Sequence, residues 1–280
     1  MTVAKNLSFG LEVNGVPRSE INRRVGEAAE LLGLTDLMQE KATHLGGSQL
    51  QRVAIGRTLV TKPAILLLDE PLSNLEAEAR QAMRRELRRL QSEIGLTIVY
   101  VTHDQTEALS LANRIAVMSA GKIRQFDASG TVYNAPAHTF VASFLGSPAM
   151  NLVRGELCRD GQALAFKSCA LTVPLPVRFD AVAPADQAAV TLGIRPENFR
   201  IGQPGDGGLI STVSVVEPRG LETVLTVETA NTDFVVVVPS AARPELGEKV
   251  SLQFPEDSLV LFSGKTDRNL ALPHNVEEVA

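Results

Sequence analysis

The chain is poor in aromatic and sulfur-containing residues. Among its 280 residues tryptophan is absent, tyrosine occurs twice and cysteine occurs twice. With so few rings to stack on bases, a surface for single-stranded nucleic acid is not expected. Cys158 and Cys169 have neither the spacing of a metal site nor the number needed for a disulfide framework. We therefore interpret both cysteines as ordinary small residues.

Long apolar runs and an excess of basic charge are also missing. No run approaches the roughly 20 residues that a membrane-spanning helix needs. The amino end lacks the apolar core of a secretory signal. The formal net charge is -5, so nucleic acid is not a favoured partner. These features favour a cytosolic protein, and the length suffices for two domains.

The most informative stretch is an apolar run that ends in two carboxylates, Ala-Ile-Leu-Leu-Leu-Asp-Glu-Pro at residues 64–71. A run without polar alternation predicts a strand buried on both faces, in the middle of a parallel sheet. Asp69 and Glu70 would then lie at the carboxyl end of the strand, where open α/β sheets bind ligands. Burying them there would require a cation or a proton. The alternative is a core strand that runs into a charged turn.

A glycine-rich turn precedes this strand and opens a helix. Residues 1 to about 60 have a helical pattern, and the turn consists of Leu45, Gly46, Gly47, Ser48 and Gln49. Unpaired amides and a hydroxyl at a helix amino terminus form a natural anion site. The alternative is a plain turn into a helix.

A second strand with a histidine at its end follows the carboxylates. The pattern predicts a helix over 76–94 that ends at Gly95, and then a strand over 97–101 that leads to His103. Asp104 together with Glu107 is expected to cap the next helix. A third strand at 115–118, with a hairpin signal after it, completes the alternation typical of a parallel sheet covered by helices. His103 is then expected beside Asp69 and Glu70, although a lone histidine can also be structural.

From about Asn151 the sequence changes to short strand patterns separated by glycine or proline. Their regular spacing predicts a small barrel, with Gly220 and Gly247 at turns. The predicted strands lie at 171–175, 190–194, 211–216, 223–227, 234–238, 250–254 and 259–262.

Taken together, the motifs resemble those of ATPase subunits of ABC transporters. The glycine-rich turn, the Asp-Glu strand, Pro-Leu-Ser-Asn-Leu at 71–75 and Val-Thr-His-Asp at 101–104 occur in that family's order and spacing. Gly-Ser-Pro-Ala-Met-Asn-Leu at 146–152 and Leu-Gly-Ile-Arg-Pro-Glu at 192–197 resemble the branch that powers importers of the maltose and glycerol-3-phosphate type. The similarity extends from the first residue to about residue 266.

The resemblance implies an α/β fold of two domains. Residues 1–150 would be an incomplete P-loop NTPase domain with a mostly parallel sheet, comprising a helical subdomain at about 1–60 and a Walker B and switch region at about 61–150. Residues 151–280 would be an all-β barrel of the oligonucleotide/oligosaccharide-binding (OB) type.

The resemblance also implies roles for individual residues. Asp69 would help to hold the Mg²⁺ of MgATP through its water shell, and Glu70 would be the general base that polarises the attacking water. His103 would contact the γ-phosphate. The glycine-rich turn would contact ATP held by a dimer partner. The loop that couples the two halves of the dimer would consist of Ser73, Asn74, Leu75 and Glu76. Phosphoryl transfer needs mainly such positioning and charge stabilisation.

The sequence departs from the family pattern in its loops. The turn reads Leu-Gly-Gly-Ser-Gln where the family reads Leu-Ser-Gly-Gly-Gln, so Ser48 stands where a glycine with positive φ is expected. Glu76 replaces the family's aspartate. Most importantly, no G-x-x-x-x-G-K-[ST] sequence, the phosphate-binding P-loop, is present. The Ser-Gly-Lys-Thr at 263–266 lacks the first glycine and a following helix pattern, and we interpret it as the end of a β-domain strand.

These departures bear on function. The family resemblance implies ATP and Mg²⁺ as cofactors, transmembrane permease subunits and a second ATPase subunit as partners, and a place on the inner face of the cell membrane. Without a P-loop, a homodimer of the 280 residues would have no complete ATP site, whereas a dimer with a full-length subunit would have one. The leading function is therefore the energising subunit of an importer for sugars or sugar phosphates, inactive alone. The alternatives are a non-catalytic regulatory or binding fragment acting through the β domain and, less favoured, an ABC ATPase of DNA repair or translation.

Overall fold

A computed structural model of the chain describes residues 1–73, 75–160, 163–181 and 188–272. The chain divides into two compact units, Met1–Ala112 and Asn113–Ala280. The domain boundary that the sequence suggests at residue 150 stays a prediction.

The first unit contains helices and one pair of strands. Its 3₁₀ helices lie at Thr35–Leu37 and Ala42–His44. The longer elements are α1 (Val3–Val13), α2 (Arg18–Leu31), α3 (Gly47–Leu59), β1 (Ile65–Asp69), α4 (Ala77–Ile94), β2 (Thr97–Val101) and α5 (Gln105–Leu111). The predicted end of α4 at Gly95 is confirmed, because this residue has φ 66°, the left-handed conformation that glycine adopts at helix ends.

The helices α1, α2 and α3 pack on one another through small and aliphatic side chains. Gly56 of α3 allows the close approach, since a Cβ at this position would lie 2.6 Å from Leu7 Cδ2 and 2.9 Å from Leu32 Cδ1. The core formed in this way continues to the inner face of the β1–β2 pair through Leu66 and Leu68. This core packs against one face of β1 near the end of the strand.

The strands β1 and β2 are parallel, as predicted, and pair in register from Ile65 with Thr97 to Asp69 with Val101. The prediction that β1 is buried on both faces is wrong, because Ile65 is 53% exposed and Leu67 is 73% exposed. Val99 on β2 lies on the same open side. Among the described residues this sheet has two strands, and the core covers one face of it.

The second unit is mostly antiparallel β structure. Its 3₁₀ helices lie at Val177–Phe179, Pro196–Asn198, Ser240–Ala242 and Glu256–Ser258. The longer elements begin with β3 (Arg114–Ser119), β4 (Lys122–Ala128), α6 (Ser129–Asn134), α7 (Thr139–Phe144), β5 (Asn151–Asp160), β6 (Ala163–Lys167) and β7 (Thr172–Pro174). They continue with β8 (Ala189–Ile194), β9 (Arg200–Gly202), β10 (Leu209–Pro218), β11 (Glu222–Thr229), β12 (Thr232–Pro239), β13 (Lys249–Gln253) and β14 (Val260–Ser263).

Within the described residues, the third predicted strand, β3, pairs with β4 in an antiparallel hairpin and not as part of a parallel sheet. Ala120 and Gly121, at φ 51° and 75°, make the tight two-residue turn between them. Because the turn is only two residues long, β4 folds back directly alongside β3 and pairs with it.

The remaining strands form two five-stranded sheets. Their strand orders are β12-β11-β10-β13-β9 and β14-β8-β5-β6-β7. Buried side chains from both sheets form one core, in which Phe166, Phe179 and Phe234 are among the largest fully buried side chains. The predicted turns at Gly220 and Gly247 are confirmed by φ values of 84° and 81°.

Arg195 connects this β structure to the segment before it. The side chain is buried, and its guanidinium donates hydrogen bonds to the backbone carbonyls of Tyr133 (2.7 Å), Ala142 (3.3 Å) and Leu145. It also stacks on the Tyr133 ring, with Cζ 3.9 Å from the ring centroid. The residues between β4 and β5 are thus held by one buried charge to the residue that directly follows β8.

Candidate functional site

The backbone at the end of β1 gives Glu70 an uncommon conformation. Its φ is 43°, which is rare for a residue with a side chain. The Glu70 amide donates to Val101 O at 2.9 Å, and its carbonyl accepts from Ser73 N and Oγ at 3.3 and 2.9 Å. Such strain persists where the surrounding hydrogen bonds over-determine it, and it clusters at functional sites.

Glu70 and His103 are brought together, as the sequence predicts. His103 Nδ1 lies 3.0 Å from Glu70 Oε1, close enough for a protonated ring nitrogen to donate to the carboxylate. The hydrogen bond to Glu70, and then the negative charge of Glu70, raises the pKa of His103. Both side chains are exposed, so the pair can meet a ligand or a water molecule.

Asp69 is the last residue of β1, directly precedes Glu70 in the chain, and is exposed. The described residues contain no group of three or more His, Cys, Asp or Glu that could hold a metal by itself. Mg²⁺ keeps several waters and binds through one or two carboxylates together with substrate phosphates. A single carboxylate at this place fits that mode of binding.

The glycine-rich turn opens α3, as predicted. Gly46 is the residue before the helix, and its amide donates to Gln49 Oε1 at 2.9 Å. Leu45 is half-buried, and Gly47 and Ser48 lie in the first turn. The expectation that residue 48 requires a positive φ is wrong, because Ser48 has helical backbone that any residue adopts.

We use the name coupling loop for residues 73–76. Ser73 is bonded to the Glu70 carbonyl, and Leu75 is buried and faces the start of α3, where a Cβ on Gly47 would lie 3.6 Å from Leu75 Cδ2. Glu76 is the residue before α4 and makes no side-chain cap. Asn74 lies outside the described residues.

The histidine loop, residues 102–104, is held by the predicted Asp104 cap and by a second group of hydrogen bonds that the sequence did not identify. Asp104 Oδ1 accepts from the amides of residues 106 and 107 and alone caps α5. The expected cap by the Glu107 side chain is wrong. That carboxylate is buried and accepts from Tyr100 Oη at 2.8 Å and Thr102 Oγ1 at 2.9 Å, and burial, together with this bond, raises the pKa of Tyr100. The alternation of β2 could have indicated an inward Tyr100, but nothing in the spacing identifies its partner.

The Ser-Gly-Lys-Thr segment at 263–266 does not resemble a phosphate loop. It ends β14, and Ser263 Oγ accepts from the amides of Lys265 and Thr266 at 3.3 Å each. The described residues after it, up to 272, form no helix.

Comparison with known proteins identifies the family. The ABC transporter model matches residues 1–73, the MalK OB fold domain model 146–199 and the TOBE domain model 192–262. The chain is 41% identical to the xylose/arabinose import ATP-binding protein XacK of Haloferax volcanii, over 98% of this chain and 73% of that protein. The chain belongs to the ATP-binding subunits of ABC importers of the MalK/UgpC type.

Other relatives of this family agree. The trehalose/maltose import ATP-binding protein MalK of Thermococcus litoralis is 40% identical, over 96% of this chain and 74% of that protein. The sn-glycerol-3-phosphate import ATP-binding protein UgpC of Escherichia coli (strain UTI89) is 38% identical, over 96% of this chain and 75% of that protein. The resemblance and the fold class are therefore confirmed: an ABC-type domain is followed by OB-fold and TOBE β domains.

Membership in this family implies binding of ATP. The described residues supply carboxylates, a histidine and a helix amino terminus, all of which suit a phosphate with its metal and water. The 280-residue sequence supplies no P-loop lysine or its glycine-rich cradle. The chain thus fits part of a nucleotide site. None of the described helices has both the length and the apolarity required to cross a membrane.

Proposed function

We propose that the chain is the energising subunit of an ABC importer for sugars or sugar phosphates, acting on permease subunits at the inner face of the cell membrane. The Glu70–His103 pair at the carboxyl ends of two parallel strands is the observation that carries the proposal. The relatives, which are import ATP-binding proteins for sugars and glycerol 3-phosphate, support it. The same observations favour this function over a regulatory fragment.

The chemistry follows from the exposed pair. Glu70 accepts the hydrogen bond of a water molecule and takes its proton as the water oxygen bonds to the γ-phosphorus, while the bond from that phosphorus to the bridging oxygen breaks and ADP leaves with that oxygen. His103, which is held 3.0 Å from Glu70, presents its other ring nitrogen to the phosphate oxygens. Mg²⁺, when bound, neutralises charge on the phosphates, and Asp69 would hold it through its water shell.

The partner-facing elements are the start of α3 and the coupling loop. We propose that Leu45, Gly46, Gly47, Ser48 and Gln49 face the ATP of a second ATPase subunit. The amino end of a helix favours an anion because the helix dipole is positive there. Ser73, Asn74, Leu75 and Glu76 would contact the same subunit. The P-loop for Glu70 is expected from a segment that these 280 residues do not contain.

The test compares the 280-residue chain with a version extended at its amino end by the P-loop unit of the Thermococcus relative. We expect MgATP binding and phosphate release from the extended version only. In it, Glu70→Gln should lower the rate of phosphate release by at least about 100-fold, because the base is lost, and leave ATP binding within about twofold.

The control is Glu78→Gln, which changes an exposed carboxylate on α4 and should leave the rate unchanged. Phosphate release that persists in the Glu70 variant would remove Glu70 as the base. Appreciable turnover by the 280-residue chain alone would contradict the need for a P-loop from elsewhere.

A further inference from the structure

Arg80 contacts both loops of the proposed site. It lies in the first turn of α4 and is half-buried. One terminal nitrogen, Nη2, donates to the backbone carbonyl of Leu75 at 3.1 Å, and the other, Nη1, lies 3.9 Å from Asp104 Oδ2. A single side chain therefore connects the coupling loop to the histidine loop.

The position of this arginine is unfavourable for the helix itself. The amino end of a helix carries partial positive charge, so a cation in the first turn is disfavoured. In addition, Arg80 Nε is buried and, within the described part of the chain, has no hydrogen-bond partner. The contacts of its two terminal nitrogens with Leu75 and Asp104 offset this unfavourable placement and explain why an arginine is found here.

The link reaches the candidate catalytic group through Asp104. The carboxylate of Asp104 also caps α5, since Oδ1 accepts from the amides of Thr106 and Glu107 at 2.8 and 3.2 Å. Asp104 directly follows His103 in the chain. The orientation of Asp104 thus fixes the backbone from which His103 reaches Glu70.

We propose that Arg80 is a positioning residue that holds the coupling loop and the histidine loop in one arrangement. If the proposed function is correct, contact with a second subunit at the coupling loop would then set the position of His103. The structural link itself can be tested on the 280-residue chain without ATP.

The measurement is amide hydrogen exchange, resolved by residue with NMR. Two amides report on the coupling loop: Ser73 N, which donates to Glu70 O, and Leu75 N, which donates to Leu72 O. The amides of residues 106 and 107 report on the histidine loop, and that of Val25 in α2 reports on opening of the whole unit.

Arg80→Met removes the guanidinium and keeps the apolar stem. We expect exchange to become faster by about tenfold in both loops, relative to Val25, because each loop loses a hydrogen bond or an ion pair. Arg80→Lys keeps a positive charge but has one terminal nitrogen in place of two, so it should accelerate exchange less than Arg80→Met does. Arg85→Met changes an exposed arginine of the same helix and should alter neither loop.

Asp104→Asn provides the decisive second variant, because asparagine keeps the capping oxygen and loses the charge that faces Arg80. The proposal requires faster exchange of Ser73 and Leu75, on the other loop, by about threefold. Unchanged exchange there would overturn it. So would an effect of Arg80→Met confined to the coupling loop, or one no larger than that at Val25.

These outcomes are separate from those of the function test. Loss of ATP chemistry in the extended version would count against the proposed function and leave the exchange result standing. A failed exchange test would remove Arg80 as the link and leave Glu70 and His103 as they are.

Discussion

At the residue scale, the site depends on one strained backbone position. The sequence predicts that Glu70 ends a strand and that His103 lies near it, because parallel strands end at the same sheet edge. It does not predict the φ of 43° at Glu70, since that conformation follows from hydrogen bonds to Val101 and Ser73 that form only in the folded chain. The identity of the pair was therefore predictable, and the means of holding it was not.

The pair makes a prediction about protonation. Glu70→Gln should lower the pKa of His103 towards the ordinary histidine value of about 6.5, because the neutral amide removes the charge that favours imidazolium. NMR titration of the imidazole in the 280-residue chain measures this pKa. The other histidine signals serve as internal references, and an unchanged His103 titration would contradict the contact.

The sign of the accompanying stability change follows from linkage. A histidine whose pKa is raised by folding stabilises the folded state below the unfolded pKa. This contribution is lost as the pH rises through the folded pKa of His103, above about 6.5. Glu70→Gln should therefore weaken the pH dependence of unfolding in that range.

At the element scale, β1 shows that an apolar run does not by itself establish which faces of a strand are buried. Five consecutive apolar residues predict burial on both faces, yet adjacent residues differ sharply: Leu66 is 3% exposed and Leu67 is 73% exposed. An apolar sequence permits a strand to be buried on both faces. Whether each face is buried depends on the strands and helices that pack against it.

The contrast between these neighbours can be measured. Leu66→Ala should lower the free energy of unfolding by about 2–5 kcal/mol, as for other buried leucines. Leu67→Ala should change it by less than about 0.5 kcal/mol and should reduce self-association, because an exposed apolar sheet face promotes it. Urea unfolding and light scattering give the two quantities, and equal destabilisation by both variants would contradict the open face.

Most strands of the β domain were predictable from the sequence, and three were missed. The seven predicted strands of the β domain correspond to β7, β8 and β10 to β14. The missed strands β5, β6 and β9 include the glycine or charged residues that lower strand propensity. In β5, Gly155 is required by packing, because a Cβ there would lie 2.4 Å from Lys167 O. The close contact that requires glycine exists only when β5 and β6 are paired, so the sequence alone could not reveal it.

At the scale of the whole molecule, the change in sequence character and the division into compact units fall at different places. Composition changes at about residue 150, whereas the second unit begins at Asn113. The buried guanidinium of Arg195 gives a physical reason for the earlier start, because its carbonyl partners lie at Tyr133, Ala142 and Leu145.

Two fragments distinguish these boundaries. Residues 113–280 should be more stable than residues 151–280 by at least about 1.5 kcal/mol, because the shorter fragment lacks the acceptors of a charged hydrogen-bonding group. Urea unfolding measures the difference. Arg195→Met should destabilise the longer fragment much more than the shorter one, and equal stability of the two would favour the boundary at 150.

Asn151 gives the β unit a further property. Its side-chain amide donates to Val235 O and accepts from Val235 N, both at 2.8 Å, while it also donates to Ile194 O at 3.3 Å. Val235 lies on β12, the last strand of its sheet, so one side-chain amide occupies the backbone groups that an incoming strand would use. The residue that joins the two sheets thereby also protects this edge against pairing with the same strand of another molecule.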